Sequence, residues 1–580
     1  MIMGGGPAGS TLGALLANTT DLRIAILERE HFPREHIGES FAHLLIPILE
    51  QSGALPKVLA SDCWVKKYGG IFNWDPDKPD VAFFEHFSWL DDGVHRWAMH
   101  VNRSEFDHIL LDHAASLGVD VFQGARVHDM NSDERGCDVT LTSGTTLRCG
   151  YFVDSSGRRN SIATKEKRAW LSQYRNIAIW QHYTGCDSAQ HLDYDWNIFK
   201  KDNLSPVGCF AFEHGWCWFI PVPKVIDGRR TLTHSIGIVT SPELLKDEGI
   251  NLTDPDTFLQ VVRDVPLLRE LVRNAQPVSD KMHTATNYSM INREFANYDD
   301  RWMLVGDSAY FVDPLFSSGV GFACAHASGA ALLLKTTFDP TIPESQKRDL
   351  WRDYDKGWRA MAETYSLSID QWYHAISKRN PDSIYWRTRG NEIDLNLRQD
   401  TFQALLSTGM SLGLLQILTH GTRKLQDLDR SGPFMQASQL ALPDEPLADD
   451  IVRLKDDVRV EESVTIDVPG FKGLIPPPPF ESPDEFQARI AHYWEDVIDR
   501  GPAVPWPHEA PEQCYRFRSV PTDRTSEPVT VVGKDEASRV WKVLSQAGTT
   551  YGKFADGASH AELTLFKQLH QANMVEVISK

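Results

Sequence analysis

The chain opens with Met1-Ile2-Met3 and runs at once into Gly4-Gly5-Gly6-Pro7-Ala8-Gly9-Ser10, a passage that restricts the fold more than any other. Met1 to Met3 read as the end of a strand, Thr11 to Ala17 as an apolar helix, and Leu22 to Leu27 as a second strand ending at Glu28. Strand, tight turn, helix and strand in that order make a βαβ unit, so the two strands are expected to be parallel. Gly4-x-Gly6-x-x-Gly9 in that setting does what a pyrophosphate site requires. Glycines let backbone approach the phosphates, the helix N-terminus offers unpaired N–H groups, and an acid about twenty residues on takes the ribose hydroxyls. Gly4, Gly6, Pro7, Ala8, Gly9 and Glu28 are therefore expected to hold a dinucleotide. A glycine-rich turn without a ligand is the alternative, and the flanking strand and helix disfavour it.

A chain of 580 residues is too long for one simple core and implies about two to four packed units. The text is rich in Trp, Phe, Ile, Val and Thr over roughly 60–100 and 177–290, with partial alternation, which predicts an antiparallel sheet over a pocket. That sheet would be inserted into the dinucleotide-binding unit, giving an α/β core over 1–340. Leu350, Trp351, Tyr354, Trp358, Met361 and Tyr365 recur at three-to-four spacing between Gln346 and Lys378, the stripe of a long amphipathic helix. A helical region is expected over 341–440. Asp/Glu-rich text and Pro476-Pro477-Pro478-Pro479 mark 441–483 as a semi-rigid connector. Residues 484–580 then read as a small cap with helices Glu536 to Gln546 and Ala561 to Gln571 and a strand Val575 to Ile578, a winged-helix-like layout.

Composition removes several classes of function. A formal net charge of -20 repels a nucleic-acid backbone. No apolar stretch reaches the length of a membrane span, and no basic-then-apolar leader is seen at Met1, so a cytoplasmic protein is expected. The eight cysteines are scattered, with no C-x-x-C pair and no His/Cys cluster at metal-ligand spacing, so reduced thiols and no metal are expected.

Two further segments fall in order behind Glu28: Phe32-Pro33-Arg34-Glu35-His36-Ile37-Gly38-Glu39-Ser40, then Val153-Asp154-Ser155-Ser156-Gly157-Arg158. A third, Gly306-Asp307-Ser308-Ala309, follows the apolar strand Trp302 to Val305. Together they resemble the fingerprints of the FAD-dependent monooxygenase superfamily. The resemblance implies FAD, with Arg34, Ser40 and Arg103 among its contacts, Asp307 at the ribityl chain, and Pro314 and Gly319 beside the flavin.

Within that superfamily, Trp216-Cys217-Trp218-Phe219-Ile220-Pro221 resembles the Trp-x-Trp-x-Ile-Pro signature of flavin-dependent halogenases. Residues two apart on a strand share a face, so Trp216 and Trp218 would present two indoles to one side. In the family this pair is a wall between flavin and substrate; the plainer reading is two core tryptophans. Lys67-Tyr68-Gly69-Gly70-Ile71-Phe72-Asn73-Trp74 matches the family's Lys-x-Gly-x-x-Phe-x-Trp stretch, which makes Lys67 the essential lysine and leaves Lys66 as a solvated neighbour. Asp313-Pro314-Leu315-Phe316-Ser317-Ser318-Gly319-Val320 resembles the loop over the flavin. The family's halide contacts fall on Ser318 and Gly319, since successive N–H groups in such a turn form an anion nest. The same loop without a halide occurs in related hydroxylases.

The branch that modifies tryptophan has a glutamate where this chain has Phe316. The sequence is more similar to members of the chloramphenicol-pathway type, which act on phenols, pyrroles or acyl groups tethered to a carrier protein or CoA. The resemblance implies chlorination or bromination with reduced FAD from a separate reductase and O2, through a flavin hydroperoxide, hypohalous acid and Lys67. An FAD-dependent hydroxylase or epoxidase using NAD(P)H directly is the rival reading, and a flavin-bearing protein without turnover a second.

Overall fold

The computed structural model describes residues 1–42, 45–67, 69–74, 80–83, 98–158, 168–170, 175–194, 197, 205–286, 288–380, 382–387, 446–465, 511–520 and 528–579. Ile2–Met3 pairs in parallel with Ala25–Glu28 on one side and Phe152–Asp154 on the other. Across the sheet the order is Ala296–Asn297, Trp302–Leu304, Phe152–Asp154, Ile2–Met3, Ala25–Glu28, Asp120–Gln123. Only the outermost pairing, Ala296–Asn297 with Trp302–Leu304, is antiparallel. The helix Pro7–Thr19 is buried along its first ten residues, as a helix without a polar face must be. It packs between the helices Gly319–Thr337 and Arg103–Ser116.

The inserted sheet runs Gln276–Pro277, Ile177–Thr184, Arg229–Thr240, Gly215–Ile226, Val207–Phe212, Gly69–Asn73, Asp80–Phe83, with His283–Thr286 also paired to Ile177–Thr184. One pairing departs from the expected antiparallel pattern: Val207–Phe212 runs parallel to Gly69–Asn73. These strands come from the two separate insertions, so the long connection between them imposes no hairpin direction. Along Gly215–Ile226 the side chains alternate as read. Trp216, Trp218, Ile220 and Val222 enter the core shared with the parallel sheet, whereas Cys217 and Phe219 enter a second core behind.

The amphipathic stripe becomes the helix Glu344–Arg379, 36 residues long and hence about 54 Å from end to end. Its Leu350, Trp351, Tyr354, Trp358, Met361 and Tyr365 are buried, and Ile369, Tyr373 and Ile376 continue the stripe. The rest of the expected helical region, 388–440, and the proline run at 476–479 lie outside the described residues.

Residues expected in the connector form strands instead: Ile451–Leu454 pairs with Val575–Ile578, and Val458–Thr465 with Glu512–Ser519. Their charged outer positions hid the buried Val452, Leu454 and Val458. The C-terminal unit thus takes in residues from 446. The helices Lys534–Leu544 and His560–Gln571 and the strand Val575–Ile578 stand where the sequence puts them, with a short helix Tyr551–Ala555 between. Ahead of them lie four strands that the winged-helix-like reading did not include. A separate core holds the unit together, with Phe517, Val540, Leu544, Phe566 and Leu569 at its centre.

This unit docks on the long helix through Arg516, whose side chain is wholly buried. The guanidinium donates to Asp353 Oδ2 at 2.7 Å and Oδ1 at 3.3 Å, and to Ser463 Oγ, Thr530 Oγ1 and the Val464 carbonyl. Arg518 pairs with Asp349 one turn away. Removing one partner of a buried pair strands the other charge. Here Asp349, 3.6 Å from Arg516 Nε, still faces the guanidinium when Asp353 is removed, so Asp353→Ala is expected to destabilise the C-terminal unit by about 1–3 kcal/mol, the scale of the charge-assisted hydrogen bonds lost. Arg453→Ala, which breaks a pair with Glu576 that is 44% and 41% exposed, should change stability by less than about 1 kcal/mol. Thermal unfolding of the two variants compares them; equal small shifts would show that the clamp does not hold the unit.

Candidate active site

At the nucleotide end each glycine has a distinct reason. A Cβ on Gly4, at φ +103°, would lie 2.6 Å from the Ser155 carbonyl oxygen, and one on Gly9 would lie 2.0 Å from the Gly4 carbonyl oxygen. Both close the packing of loop against strand. A Cβ on Gly6 would meet only Arg34 Nη2, at 3.5 Å, so Gly6 faces open space where a pyrophosphate fits. Pro7 opens the helix at a position that needs no N–H, and Ala8 follows it. Glu28 is nearly buried. Its Oε2 accepts from the Gly5 N–H at 2.7 Å and its Oε1 from the Glu30 N–H at 2.9 Å, which fixes the carboxylate at the loop with lone pairs left for ribose hydroxyls. Arg34 lies over the Phe32 ring, 4.5 Å from its centroid.

Two residues expected at the cofactor are engaged by the protein. Arg103 grips Asp107 with Nε and Nη2, at 2.7 and 2.9 Å, while Nη1 donates to the Ile37 and Gly38 carbonyls. It therefore pins the turn at Gly38, where φ is +98°. Ser40 Oγ accepts from Lys67 Nζ at 2.9 Å. Asp307 sits in a short turn, Gly306–Ser308, against the opening of the first helix: a Cβ on Gly306 would be 3.2 Å from Ala8 Cβ. Burial pushes the Asp307 carboxyl above its ordinary range, against Arg158 and Arg103 pulling down.

Beyond it the loop of Asp313 and Pro314 closes on itself, with Asp313 Oδ1 accepting from the Leu315 N–H at 2.9 Å and Ser317 in the left-handed region at φ +57°. Ser318 and Gly319 begin the helix Gly319–Thr337. Gly306, Asp307, Tyr310, Phe311, Ser318 and Gly319 line one cavity.

Trp216 and Trp218 lie side by side as read, ring centroids 6.2 Å apart and tilted by 56°. Trp216 Nε1 donates to Tyr373 Oη at 3.1 Å, and that hydroxyl donates to Asp313 Oδ2 at 3.1 Å. Trp218 Nε1 donates to Ser235 Oγ, and its ring lies flat on Gly237, where a Cβ would come within 2.1 Å of it.

Lys67 is 1% exposed, and besides Ser40 its Nζ donates to the Phe41 carbonyl at 2.9 Å. Burial pushes its pKa down to about 7, with Cys209 pulling the other way. Cys209 stands opposite Trp218 in one strand pairing and opposite Phe72 in the next, which sets the lysine against the sheet that carries the indoles. Lys66, one residue earlier, is exposed. Phe316 is fully buried, its ring 6.5 Å from that of Phe72.

The sequence reading missed Tyr365 and Tyr373, which looked like core positions of a helix far along the chain. It also missed the buried pair of Glu39 Oε1 and His182 Nε2 at 2.7 Å. Burial alone raises the Glu39 carboxyl, but His182 and Lys224 outweigh it and hold it low. Gly237 had one signal, a glycine inside a strand.

A glycine-rich loop at a helix start, the carboxylate of Glu28 fixed against it and Asp307 behind it suit an FAD-dependent oxidoreductase. A tryptophan halogenase family model matches residues 90–407, and a model of the FAD-binding domain matches residues 1–174. The chain belongs to the tryptophan halogenase family and is a flavin-dependent halogenase. Tryptophan 2-halogenase of Chondromyces crocatus is 28% identical over 397 residues, 67% of this chain and 69% of that protein. The 1H-pyrrole-2-carbonyl-[peptidyl-carrier protein] chlorinase of Pseudomonas fluorescens is 29% identical over 347 residues, 56% of this chain and 72% of that one. Among solved structures, the myxobacterial chondrochloren halogenase CndH shares 26% identity with a TM-score of 0.58, covering 70% of this chain and 88% of its own. CmlS, a flavin-dependent halogenase, shares the fold over 100% of this chain and 97% of its own, at 22% identity and a TM-score of 0.61.

The two kinds of glycine separate binding from folding. Gly6→Val is expected to fold yet purify without the yellow of bound FAD, because its side chain fills only the ligand's space. Gly9→Val should instead lower the melting temperature, because backbone stands in its way. Flavin absorbance and thermal unfolding of both variants check this; a fully flavinylated Gly6→Val would refute the assignment.

Proposed function

We propose that Lys67 carries the halogen to the substrate behind a wall made by Trp216 and Trp218. FAD, reduced by a separate reductase and met by O2, supplies the oxidising equivalent that turns chloride or bromide into hypohalous acid. Ser318 and Gly319 hold the halide on the flavin side, where N–H groups at a helix start favour an anion. The two indoles leave the flavin with no direct approach to substrate, so oxygen transfer is blocked.

The observation that carries this reading is the burial of Lys67 with a pKa of about 7, which leaves a large neutral fraction at neutral pH. A neutral amine attacks the halogen of hypohalous acid; N–X forms, X–O breaks, and the departing hydroxide takes the proton from nitrogen as water. The substrate carbon then takes the halogen, its displaced proton returning to the amine. Hydrogen bonds from the amine to Ser40 and the Phe41 carbonyl hold the nitrogen in place before the halogen arrives. Lysine suits this role and arginine does not, since a guanidinium stays charged and is a poor nucleophile.

Phe316 supports a substrate that stabilises its own positive charge: a phenol, a pyrrole or an activated acyl group. The carrier-protein chlorinase among the relatives favours a tethered one. A cytoplasmic setting suits eight free thiols and the lack, among the described residues, of a helix able to cross a membrane.

Lys67→Ala and Lys67→Arg are expected to keep FAD binding and O2 consumption but lose halogenated product by at least about a hundredfold. Lys66→Ala should be nearly silent. In the wild type, halogenation should rise as pH passes upward through about 7, since the amine must be neutral. Product formation measured beside oxygen uptake across that range decides. Normal halogenation by Lys67→Ala would remove the lysine from the mechanism.

A further inference from the structure

The loop assigned to the halide is met from behind by the long helix Glu344–Arg379. The hydroxyls of Ser318 and Tyr365 are hydrogen-bonded to each other. Both residues are 2% exposed, and both line the cavity that also holds Gly319 and Tyr310. Two hydroxyls carry two hydrogens, and only one can lie between two oxygens. The second must point elsewhere, and among the described residues no acceptor for it is found. The Tyr310 hydroxyl, also buried, has no partner there either. Buried polar hydrogens without acceptors are rare in folded proteins, so two at one cavity mark a place where an acceptor is to be bound.

Three properties say which acceptor. Burial raises both phenols above their ordinary range, so they remain O–H donors at any working pH. Among the described residues no lysine or arginine lines this cavity, while Asp307 and Asp313 do; Arg158 stands behind, 4.0 Å from Asp307, and Asp313 is engaged by the Leu315 N–H and the Tyr373 hydroxyl, which leaves neutral donors to meet an anion. The start of the helix Gly319–Thr337 at the same spot adds backbone N–H groups. These hydroxyls and N–H groups are donors at one small space, which Asp307 and Asp313 also line.

We propose that Tyr365 is a halide-binding residue, its phenol joined with Ser318 so that one O–H of the pair is turned toward the anion beside Gly319, with Tyr310 adding a second. This rests on the reading that the Ser318–Gly319 loop holds the halide. It brings in a residue from outside the loop and gives the long helix a chemical task.

Tyr365→Phe removes one oxygen and keeps the ring, which makes it a mild probe of the loaded enzyme. The KM for chloride and for bromide should rise about tenfold or more, the scale of one hydrogen bond to a charged group. At saturating halide kcat should stay within about twofold, and FAD affinity, read by flavin absorbance, should not move. Ser318→Ala should raise the halide KM as well, and the double variant should fall short of the product of the two effects, because the hydroxyls act as a pair. Should Ser318→Ala raise the halide KM while Tyr365→Phe leaves it alone, the loop reading stands and this inference is wrong. Were neither variant to change it, the loop reading itself would fall. Weakened FAD binding by Tyr365→Phe with halide KM unchanged would place the hydroxyl on the flavin and also overturn the proposal.

Discussion

Along Gly215–Ile226 successive side chains leave the sheet on opposite faces, and this two-residue period sets where the chemistry can occur. Trp216 and Trp218 go to the face shared with the parallel sheet while Cys217 and Phe219 go to the other. A slip of one residue would turn both indoles into the second core and, in the proposed mechanism, remove the wall between flavin and substrate. The register is fixed by neighbours on each side. Arg229–Thr240 pairs with the strand along twelve residues, and Gly237 is the residue in it with no side chain to obstruct Trp218. The indole nitrogens are held as well, Trp216 through Tyr373 to Asp313 and Trp218 to Ser235.

On the substrate side the same sheet solves an electrostatic problem. A buried ammonium is disfavoured, and among the described residues Lys67 Nζ donates to a hydroxyl and a carbonyl, with the Cys209 thiol nearby. The environment responds by lowering the pKa to about 7. In the proposed mechanism, what would be a defect in an ordinary core serves as a nucleophile at neutral pH. On the flavin side the design is reversed: Asp307 is partly buried beside Arg158 and Arg103, and the cavity presents hydroxyls and N–H groups. The long helix ties the halves together, with Tyr365 at the loop, Tyr373 beside Trp216 and, about three to four turns before Tyr365, Asp353 and Asp349 at the C-terminal clamp.

Much of this was legible in the sequence because it depends on local spacing. Gly4, Gly6 and Gly9 before a helix, Trp216 and Trp218 two apart, and Lys67 ahead of Phe72 and Trp74 each carry their geometry within a few residues. Contacts made across the chain were not legible. Arg103 is expected at the cofactor and also grips Asp107 four residues on and the Gly38 turn, and Ser40 also accepts from Lys67; the turn and the lysine lie tens of residues away and could not be read locally. Tyr365 and Tyr373 had the spacing of core residues, which they also are; only the fold reveals hydroxyls reaching Ser318 and Asp313. The strands Ile451–Leu454 and Val458–Thr465 were masked by charged residues on their outer face.

In the proposed mechanism the oxidising power raised on the flavin crosses to the substrate as halogen rather than as oxygen. A reaction run with reduced FAD, bromide and heavy-oxygen O2 on phenolic, pyrrolic and carrier-bound acyl substrates, with products weighed by mass spectrometry, tests it most directly. The expected product carries bromine and no heavy oxygen, and none forms when halide is withheld. A product carrying heavy oxygen, formed with or without bromide, would contradict it.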